Sequence, residues 1–354
     1  MFLCKSTVRL RQLTVLIEGR MKKMRDTKAT TKAPATALKP KKRARWTRDD
    51  TELTILALPT TIWYILFCYL PMFGIILAFK DYKIVDAKQS FLYNLFASDW
   101  AGFKNFNYFL DLPNFGSIVR NTLLYNVVFI ILGIVIPVGL AIMINNIYSK
   151  RASKSYQTLM FMPHFMSWVV VSYFVYAFLS PEKGLINSLL RAMGKSPILW
   201  YSKEGAPYWP FLLVFINVWK TMGYNMVVYL ASITGIDSSL YEAAVLDGAT
   251  KLQQARYITL PSLRPIIIMM FILSVGRIFS TDFGLFYQVT RYVPRSLREV
   301  ATTFDVQIYK MVTEMKGMLP QSAAGSFFQS AVGCITILIA NGIVRKVDKS
   351  SALI

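Results

Sequence analysis

The chain has few of the residues that metal binding and catalysis usually require. It contains one histidine, His164, and three cysteines in 354 residues. Cys4, Cys68 and Cys334 are far apart and form no C-x-x-C pair, so we expect neither a disulfide framework nor a zinc site. No G-x-x-x-x-G-K-[ST] phosphate loop occurs, and no nucleophile–base arrangement or carboxylate pair suggests catalysis. We therefore expect no enzyme activity and no ATP site in this chain.

Charge is also scarce, and its distribution is uneven. Charged residues make up 17% of the chain, against about 25% in soluble domains, whereas 54% of residues are hydrophobic and the mean hydropathy is +0.41. The net charge of +21 is concentrated at the start, because 15 of the 40 Lys and Arg residues lie in the first 50 positions. The basic excess therefore indicates an N-terminal tail and not a nucleic-acid partner. The composition predicts a membrane protein.

Six stretches are long and apolar enough to cross a bilayer, which takes about 20 residues of helix. Four carry no charge, the fourth in order contains Lys220, and the fifth contains Arg277 and Asp282. We predict an all-α membrane domain over residues 51–354, after a basic, disordered cytoplasmic tail over residues 1–50. The predicted spans cover about residues 53–79, 121–147, 157–180, 210–231, 265–287 and 323–344.

The basic residues next to the spans predict the orientation. An even number of spans places both termini on one side, and Lys and Arg close to span ends mark the cytoplasm. A polybasic tail of this kind is also attracted to anionic membrane lipid. We expect both termini in the cytoplasm, together with the basic groups Lys150, Arg151, Lys154, Arg345, Lys346 and Lys349.

Between the fourth and fifth spans lies a loop whose residues predict two short helices. Its small residues would allow close approach to a partner protein, in whose groove a short helix could bind. The helix boundaries are predicted by capping boxes at Ser239/Glu242 and Thr250/Gln253, by Gly248 between them and by Pro261 as a stop.

This loop, residues 237–262, resembles the EAA signature of permease subunits of binding-protein-dependent ABC importers. The matching residues are Glu242-Ala243-Ala244, Gly248 and Ile258-x-Leu260-Pro261. Segments 71–82, 102–106, 229–236 and 286–290 resemble the carbohydrate branch of that family, the maltose-type and polysaccharide-type permeases. The resemblance extends from about Thr51 to the C-terminus.

The resemblance implies a type I importer fold with six transmembrane helices in the bacterial cytoplasmic membrane. It implies a heterodimer with a second, homologous permease subunit, two ABC ATPase subunits that bind ATP and Mg²⁺, and an extracytoplasmic solute-binding protein. This chain would hold no cofactor or metal. It would translocate a sugar, with oligosaccharides favoured, by alternating access. The short helix would couple to the ATPase through Glu242, Ala243, Ala244, Asp247, Gly248 and Ala249.

Charged and polar residues at membrane depth allow two interpretations. A charge there costs at least about 2.5 kcal/mol and faces the protein interior or a water-filled cavity. One interpretation is a structural ion pair between Lys220 and Asp282. The other is a substrate pathway lined by Asn217, Lys220, Tyr224, Asn225, Arg277, Ser280 and Asp282.

Other functions remain open from the sequence alone. An EAA-type permease could carry a solute that is not a sugar, such as phosphate or an amino acid. An ion-coupled secondary transporter would use the intramembrane charges as its coupling site. A membrane enzyme is the weakest alternative, because no catalytic set is present.

Overall fold

The computed structural model describes residues 47–83, 89–315 and 317–347, so most of the predicted tail lies outside the described residues. The chain divides into two units between Cys68 and Tyr69. The described part of the first unit is helix α1 (Arg48–Tyr64), which continues into a π-helical turn. A capping box between Thr47 and Asp50 begins α1, so ordered helix starts just before the predicted boundary at residue 50. None of its residues is buried.

In its described residues the second unit consists of helices, their connections and one pair of short strands. It begins with a 3₁₀ helix (Leu70–Phe79), after which strand β1 (Lys80–Asp81) pairs antiparallel with β2 (Asp99–Trp100). The remaining helices are α2 (Phe91–Ala97), α3 (Lys104–Leu110), α4 (Phe115–Asn145), α5 (Lys150–Phe161), α6 (Trp168–Leu179), α7 (Leu185–Ala192), α8 (Trp209–Thr234), α9 (Ser238–Leu246), α10 (Lys251–Gln254), α11 (Leu260–Val275), α12 (Arg298–Ala301), α13 (Phe304–Thr313) and α14 (Leu319–Val347).

Helices α4 and α8 form the centre of this second unit and contribute to its two larger apolar clusters. One cluster joins Tyr125 of α4 and Trp209 of α8 to Phe286. The other packs Val138 and Ala141 against Met226, Tyr229 and Leu263. A third cluster, around Phe109 and Phe304, joins α3 to α13. Burial of these side chains removes apolar surface from water or lipid and fixes the helix positions.

Within the described residues, five helical stretches are long and apolar enough to cross a membrane, and a bent pair of helices supplies a sixth if it counts as one span. This agrees with the predicted fold class of an all-α membrane protein. The five stretches are Arg48–Phe79, Phe115–Asn145, Ala206–Thr234, Lys251–Val275 and Leu319–Lys346.

The third predicted span, residues 157–180, is not one straight helix. It is divided between α5 and α6, whose helical segments meet at an angle of 99°. A 3₁₀ turn with Pro163 at its start follows α5, and Ser167 caps α6 by accepting a hydrogen bond from the Val170 amide. Proline and a new N-cap explain the break, because both end the continuous helical hydrogen-bond pattern.

The fifth predicted span, residues 265–287, is displaced toward the N-terminus. Helix α11 ends at Val275, so Arg277 and Asp282 follow the helix and do not lie within it. Gly276 packs directly on Ile337 of α14, whose Cδ1 would be 2.8 Å from a Cβ at residue 276. Irregular backbone at this depth is tolerated where protein side chains satisfy it or where it borders a cavity.

Candidate functional site

Helix α9 presents the EAA residues, but its N-cap differs from the prediction. Asp237 caps the helix by accepting a hydrogen bond from the Ser239 amide at 2.9 Å. That bond lowers the pKa of the Asp237 carboxyl. The predicted capping box at Ser239 and Glu242 is therefore wrong. Asp237 directly precedes the helix, where an N-cap side chain can accept from the free amides of the first turn, whereas Ser239 lies inside the helix.

The predicted helix end at Gly248 is confirmed. Gly248 has a φ of +79°, and the Ala249 amide donates to the Ala244 carbonyl at 2.8 Å. Nothing lies within 4 Å of a Cβ at residue 248, so the left-handed conformation and not crowding favours glycine here. The second capping box is also confirmed, because Thr250 and Gln253 cap each other reciprocally.

Pro261 does not stop the second helix of the loop, contrary to the prediction. Helix α10 continues through a π-helical segment, Ala255–Thr259, into α11, where Pro261 lies in the first turn. Proline is tolerated there because the π-helical segment directly before it already departs from the regular α-helical hydrogen-bond pattern, in which the missing proline amide would otherwise take part. The helical stretch Lys251–Val275 therefore runs without a break from the EAA loop into the membrane domain.

The surface of the EAA loop is strongly apolar. Glu242, Ala243, Asp247 and Gly248 are exposed, whereas Ala244 and Ala249 are half-buried. Sequence reasoning missed the adjacent large side chains, of which Leu246 is 89% exposed and Leu252 is 79% exposed. Clustered exposed apolar side chains of this size are typical of a protein-binding surface. The Tyr241 and Thr259 hydroxyls are 2.9 Å apart and join the two sides of the loop.

Lys220 and Asp282 are connected through Trp168 and form no direct ion pair within the described part of the chain. The Trp168 indole Nε1 donates to Asp282 Oδ2 at 2.7 Å. The Lys220 ammonium lies 5.1 Å from the Trp168 ring centroid and donates to the His164 carbonyl at 2.9 Å. The predicted direct pair is corrected to an aromatic bridge between the two charges.

Polar side chains of α4 hold the irregular backbone that follows α11. The Asn126 amide donates to the carbonyls of Ile278, at 2.7 Å, and of Ser280, at 3.2 Å. The hydroxyl of the adjacent Tyr125 donates to the Val300 carbonyl of α12 at 2.8 Å. Sequence reasoning did not select these residues. The signal was available, because Asn121, Thr122, Tyr125 and Asn126 lie on one face of an otherwise apolar helix.

Asp305 of α13 fixes the same segment from the other side. Its Oδ2 accepts hydrogen bonds from the Thr281 amide at 2.6 Å and from the Thr281 hydroxyl at 2.8 Å. Its Oδ1 accepts from Gln329 of α14 at 3.0 Å. Thr281 is thus held to α13 by Asp305 and, through the same carboxylate, linked to Gln329 of α14, so that the segment forms one wall with these helices.

A polar pocket of about 360 Å³ borders this segment. It lies level with the middle of the membrane domain, because it reaches Gly133 in the middle of α4, and Gly276 beside it packs on Ile337 in the middle of α14. The lining residues are Asn126, Phe129, Ile130, Gly133, Ile134, Asn225, Tyr229, Met270, Ser274, Arg277, Ser280, Thr281 and Asp282.

Four of the seven predicted pathway residues, Asn225, Arg277, Ser280 and Asp282, line this pocket. The other three do not belong to its lining. Lys220 is buried against Trp168, and Tyr224 stacks on His164 with ring centroids 4.6 Å apart. The Asn217 carbonyl accepts a hydrogen bond from Thr221 within α8.

A larger groove of about 710 Å³ lies between α4 and α8 and is lined almost entirely by aliphatic and aromatic side chains. Such a surface suits lipid or an apolar helix. It offers few partners for the hydroxyl groups of a polar solute, so the smaller polar pocket is the candidate transport site.

The exposed EAA loop and the polar pocket at mid-membrane define the chain as a membrane transport component. Residues 130–349 match the model of the family described as the binding-protein-dependent transport system inner membrane component. The chain belongs to this family, whose members are permease subunits of ABC importers.

Relatives and solved structures of ABC transporters support the same family membership. The chain is 34% identical over 294 residues to the polygalacturonan/rhamnogalacturonan transport system permease protein YteP of Bacillus subtilis (strain 168). The aligned region covers 83% of this chain and 88% of YteP. It is 32% identical to protein LplB of the same organism over 85% of this chain and 91% of LplB. The fold is also similar to that of one chain in the crystal structure of a bacterial ABC transporter involved in the import of the acidic polysaccharide alginate. The two chains superpose with a TM-score of 0.73 and are 30% identical, and the match covers 85% of this chain and 97% of the other. A further structure of the alginate transporter, similar to the same extent, contains an alginate pentasaccharide-bound periplasmic protein.

Proposed function

We propose that this chain imports a sugar, and specifically an oligosaccharide, through the polar pocket. The observation that carries the proposal is the unbroken helical stretch Lys251–Val275, which joins the EAA loop at one end to the pocket at the other. At 1.5 Å per residue, 25 helical residues extend about 37 Å. A displacement of the loop is therefore transmitted directly to the pocket wall.

The pocket chemistry supports a sugar. Asn225 and Ser280 offer amide and hydroxyl groups to ring hydroxyls, and Phe129 adds an aromatic wall. Sugar sites commonly combine directional polar groups with an apolar face for the ring. The sugar-importing relatives support the same substrate class.

The partners follow from the shape of the loop and from family membership. Two ATPase subunits, which bind ATP and Mg²⁺, would receive α9 and the exposed Leu246 and Leu252 in a cytoplasmic cleft. A second permease subunit would complete the pathway, and an extracytoplasmic binding protein would deliver the sugar. Both termini of this chain would lie in the cytoplasm. Closure of the ATPase pair would move α9, and the Lys251–Val275 stretch would then open the pocket outward.

An ion-coupled secondary transporter is a weaker alternative. Its most plausible coupling carboxylate, Asp282, already accepts hydrogen bonds from Trp168 and from the Gly284 amide at 3.0 Å. A permease for another solute would need pocket groups that bind that solute. The amide of Asn225 and the hydroxyl of Ser280 suit the hydroxyl groups of a sugar.

The test uses the complete transporter, purified with its partners and reconstituted in proteoliposomes with its binding protein. We expect uptake of labelled oligosaccharide that requires ATP on the ATPase side and survives an ionophore. A matched pair of variants addresses the coupling loop. Gly248→Asp should abolish uptake, whereas Gly235→Ala, at a glycine with φ of −86°, should retain it. Uptake without ATP that an ionophore abolishes would contradict the proposal.

A further inference from the structure

We infer that Tyr292 and Tyr309 form a second sugar-binding subsite, at the mouth of the pocket that faces away from the EAA loop. Their rings stack on a unit of an oligosaccharide whose end occupies the pocket. The inference rests on the proposed function and adds a site to it. Four observations carry it: an aromatic cluster beside the pocket, its place in the membrane domain, the exposure and backbone of its outer rings, and the size of the pocket.

Four rings form this outer aromatic cluster, which consists of Phe283, Tyr287, Tyr292 and Tyr309. Phe283 directly follows the pocket residue Asp282, and its ring centroid lies 4.8 Å from that of Tyr287 and 4.5 Å from that of Tyr309. The Tyr287 centroid lies 4.9 Å from that of Tyr309 and 5.2 Å from that of Tyr292. The rings thus form a continuous series of contacts that begins next to the pocket wall.

The cluster lies at the end of the second unit that is opposite the EAA loop. Val293, next to Tyr292, packs in the same apolar cluster as Trp209, the first residue of α8. The other end of α8, at Thr234, leads into the EAA loop, and 26 helical residues extend about 39 Å. A sugar that arrives from the side away from the EAA loop would therefore meet these rings before it reaches the pocket.

Two rings of the cluster are available to a ligand. Tyr292 is 56% exposed and Tyr309 is 38% exposed, whereas Phe283 and Tyr287 are half-buried and pack on the apolar core. A tyrosine ring offers an apolar face to the C–H groups of a sugar ring and a hydroxyl group to its polar edge. Two such rings on a half-buried aromatic base form a platform that suits a sugar unit.

The backbone that carries Tyr292 has a conformation that residues other than glycine rarely adopt. Residues 291–293 all have positive φ values, between +51° and +68°. The Tyr292 amide donates to the Tyr287 carbonyl at 2.7 Å, and the buried Lys310 ammonium donates to the Val293 carbonyl at 3.2 Å. Strained segments persist where surrounding contacts impose them, and they are concentrated at functional sites. Here the imposed conformation presents the Tyr292 ring at the surface.

The size of the pocket also favours a second subsite. Its volume of about 360 Å³ is near the lower end of the range for small-molecule pockets, about 300–1,000 Å³. An oligosaccharide of several units is too large for such a pocket, so its remaining units lie outside. The outer aromatic cluster is the surface next to the pocket wall that can bind them.

The experiment measures dissociation constants for the purified complete transporter in nanodiscs, without its binding protein. The probes are labelled disaccharides and hexasaccharides of galacturonan, xylan and amylose, and the series that wild type takes up fastest with ATP is used. The variants are Tyr292→Ala, Tyr309→Ala and Tyr292→Phe. The matched control is Tyr93→Ala, at a tyrosine of α2 that is similarly exposed and lies outside the cluster.

We expect the wild-type complex to bind the hexasaccharide more tightly than the disaccharide. Tyr292→Ala and Tyr309→Ala should each weaken hexasaccharide binding about 3- to 10-fold, the range for one aromatic contact, and should affect the disaccharide far less. Tyr292→Phe retains the ring and should keep most of the hexasaccharide affinity. Tyr93→Ala should bind both sugars as wild type does.

Unaltered hexasaccharide affinity in both alanine variants, or equal losses for the two sugars, would overturn the inference. So would a lower unfolding temperature with an unchanged affinity ratio, because the cluster would then be an anchor at the membrane interface.

Failure of the inference remains distinct from failure of the proposed function. ATP-dependent uptake is measured in parallel in proteoliposomes that contain the binding protein. If wild type takes up an oligosaccharide but the variants show no effect of chain length, only the second subsite is wrong. If wild type takes up none of the three series with ATP, the proposed function itself is wrong.

Discussion

Trp168 and Asp282 are joined by a hydrogen bond of 2.7 Å between indole Nε1 and Oδ2, across the interface between α6 and the segment after α11. The opposite charge, on Lys220, lies 5.1 Å from the ring centroid of the same tryptophan. One aromatic side chain thus contacts both charges. Gly284 makes this arrangement possible, because a Cβ at that residue would collide with the Trp168 ring.

Replacement of Trp168 by Phe should destabilise the folded protein while the ring remains beside Lys220. The variant removes the hydrogen bond to Asp282 together with the pyrrole ring that packs on Gly284. We expect the lost hydrogen bond to cost roughly 1.5 kcal/mol, the low end for a charged acceptor because the pair is partly exposed, and the lost packing to add to it. Thermal unfolding in detergent measures the loss. Trp100→Phe, at an exposed tryptophan, is the control. Equal stability of Trp168→Phe and wild type would contradict the bridge.

Neutralisation of both bridged charges should be less harmful than neutralisation of either one. Lys220→Met leaves Asp282 unbalanced, and Asp282→Asn leaves Lys220 unbalanced. We expect each single variant to lower the yield of assembled protein and the double variant to recover part of it. A double-mutant cycle on unfolding temperature measures the coupling. Strictly additive losses would show that the indole does not couple the two charges.

Gly223→Ala should prevent close packing of α8 against the end of α5. A Cβ at residue 223 would collide with the backbone carbonyl of Met160, which cannot rotate away. Overpacking of this kind costs about 1–3 kcal/mol or more. The matched control is Gly139→Ala, where nothing lies within 4 Å of the new methyl group. Detergent-solubilised yield and unfolding temperature report the result, and equal behaviour of the two variants would disprove the close approach.

Much of this fold can be predicted from the sequence, because span position depends on apolar content and the EAA loop depends on local capping residues. The helix end at Gly248 and the capping box at Thr250 are local features of this kind. The break between α5 and α6 and the early end of α11 were missed. The early end of α11 depends on which distant side chain satisfies a carbonyl, as Asn126 does for Ile278. The break between α5 and α6 follows from Pro163 and Ser167, local signals that the apolar content of the stretch outweighed in the prediction.

The candidate site was predictable only in part, because its contacts join residues that are far apart in the sequence. Arg277 and Asp282 are conspicuous as charges in an apolar stretch, and both line the pocket. The sequence paired Lys220 with Asp282 from charge alone and could not place Trp168 between them. Hydrogen-bond partners that are 114 residues apart carry no local signal.

Asn126→Leu should disrupt the pocket wall without changing any charge. The variant leaves the carbonyls of Ile278 and Ser280 without the side-chain donor that now serves both, and an unsatisfied buried polar group costs about 1–3 kcal/mol. We expect lower affinity for substrate and a lower unfolding temperature. Asn114→Leu serves as a control, since the Asn114 side chain makes no cap hydrogen bond at the start of α4. Unaltered affinity in Asn126→Leu would argue against a structural role for this wall.

Gly248→Ala should weaken coupling without preventing assembly of the membrane domain. Alanine at a φ of +79° is disfavoured by about 1–2 kcal/mol, so the turn after α9 would shift. We expect a several-fold loss of substrate-stimulated ATP hydrolysis by the complex, and a smaller loss for Gly248→Asn, because asparagine tolerates this conformation. Gly235→Ala should match wild type. Equal losses in all three variants would point to a general effect on the loop.

The most direct test of the central claim is co-purification from native membranes in mild detergent, comparing wild type with Gly248→Asp. The account predicts that the wild-type chain brings down an ABC-type ATPase and a second permease, and that Gly248→Asp keeps the permease but loses the ATPase. A wild-type chain that purifies without an ATPase, or a variant that retains it fully, would contradict coupling through the EAA loop.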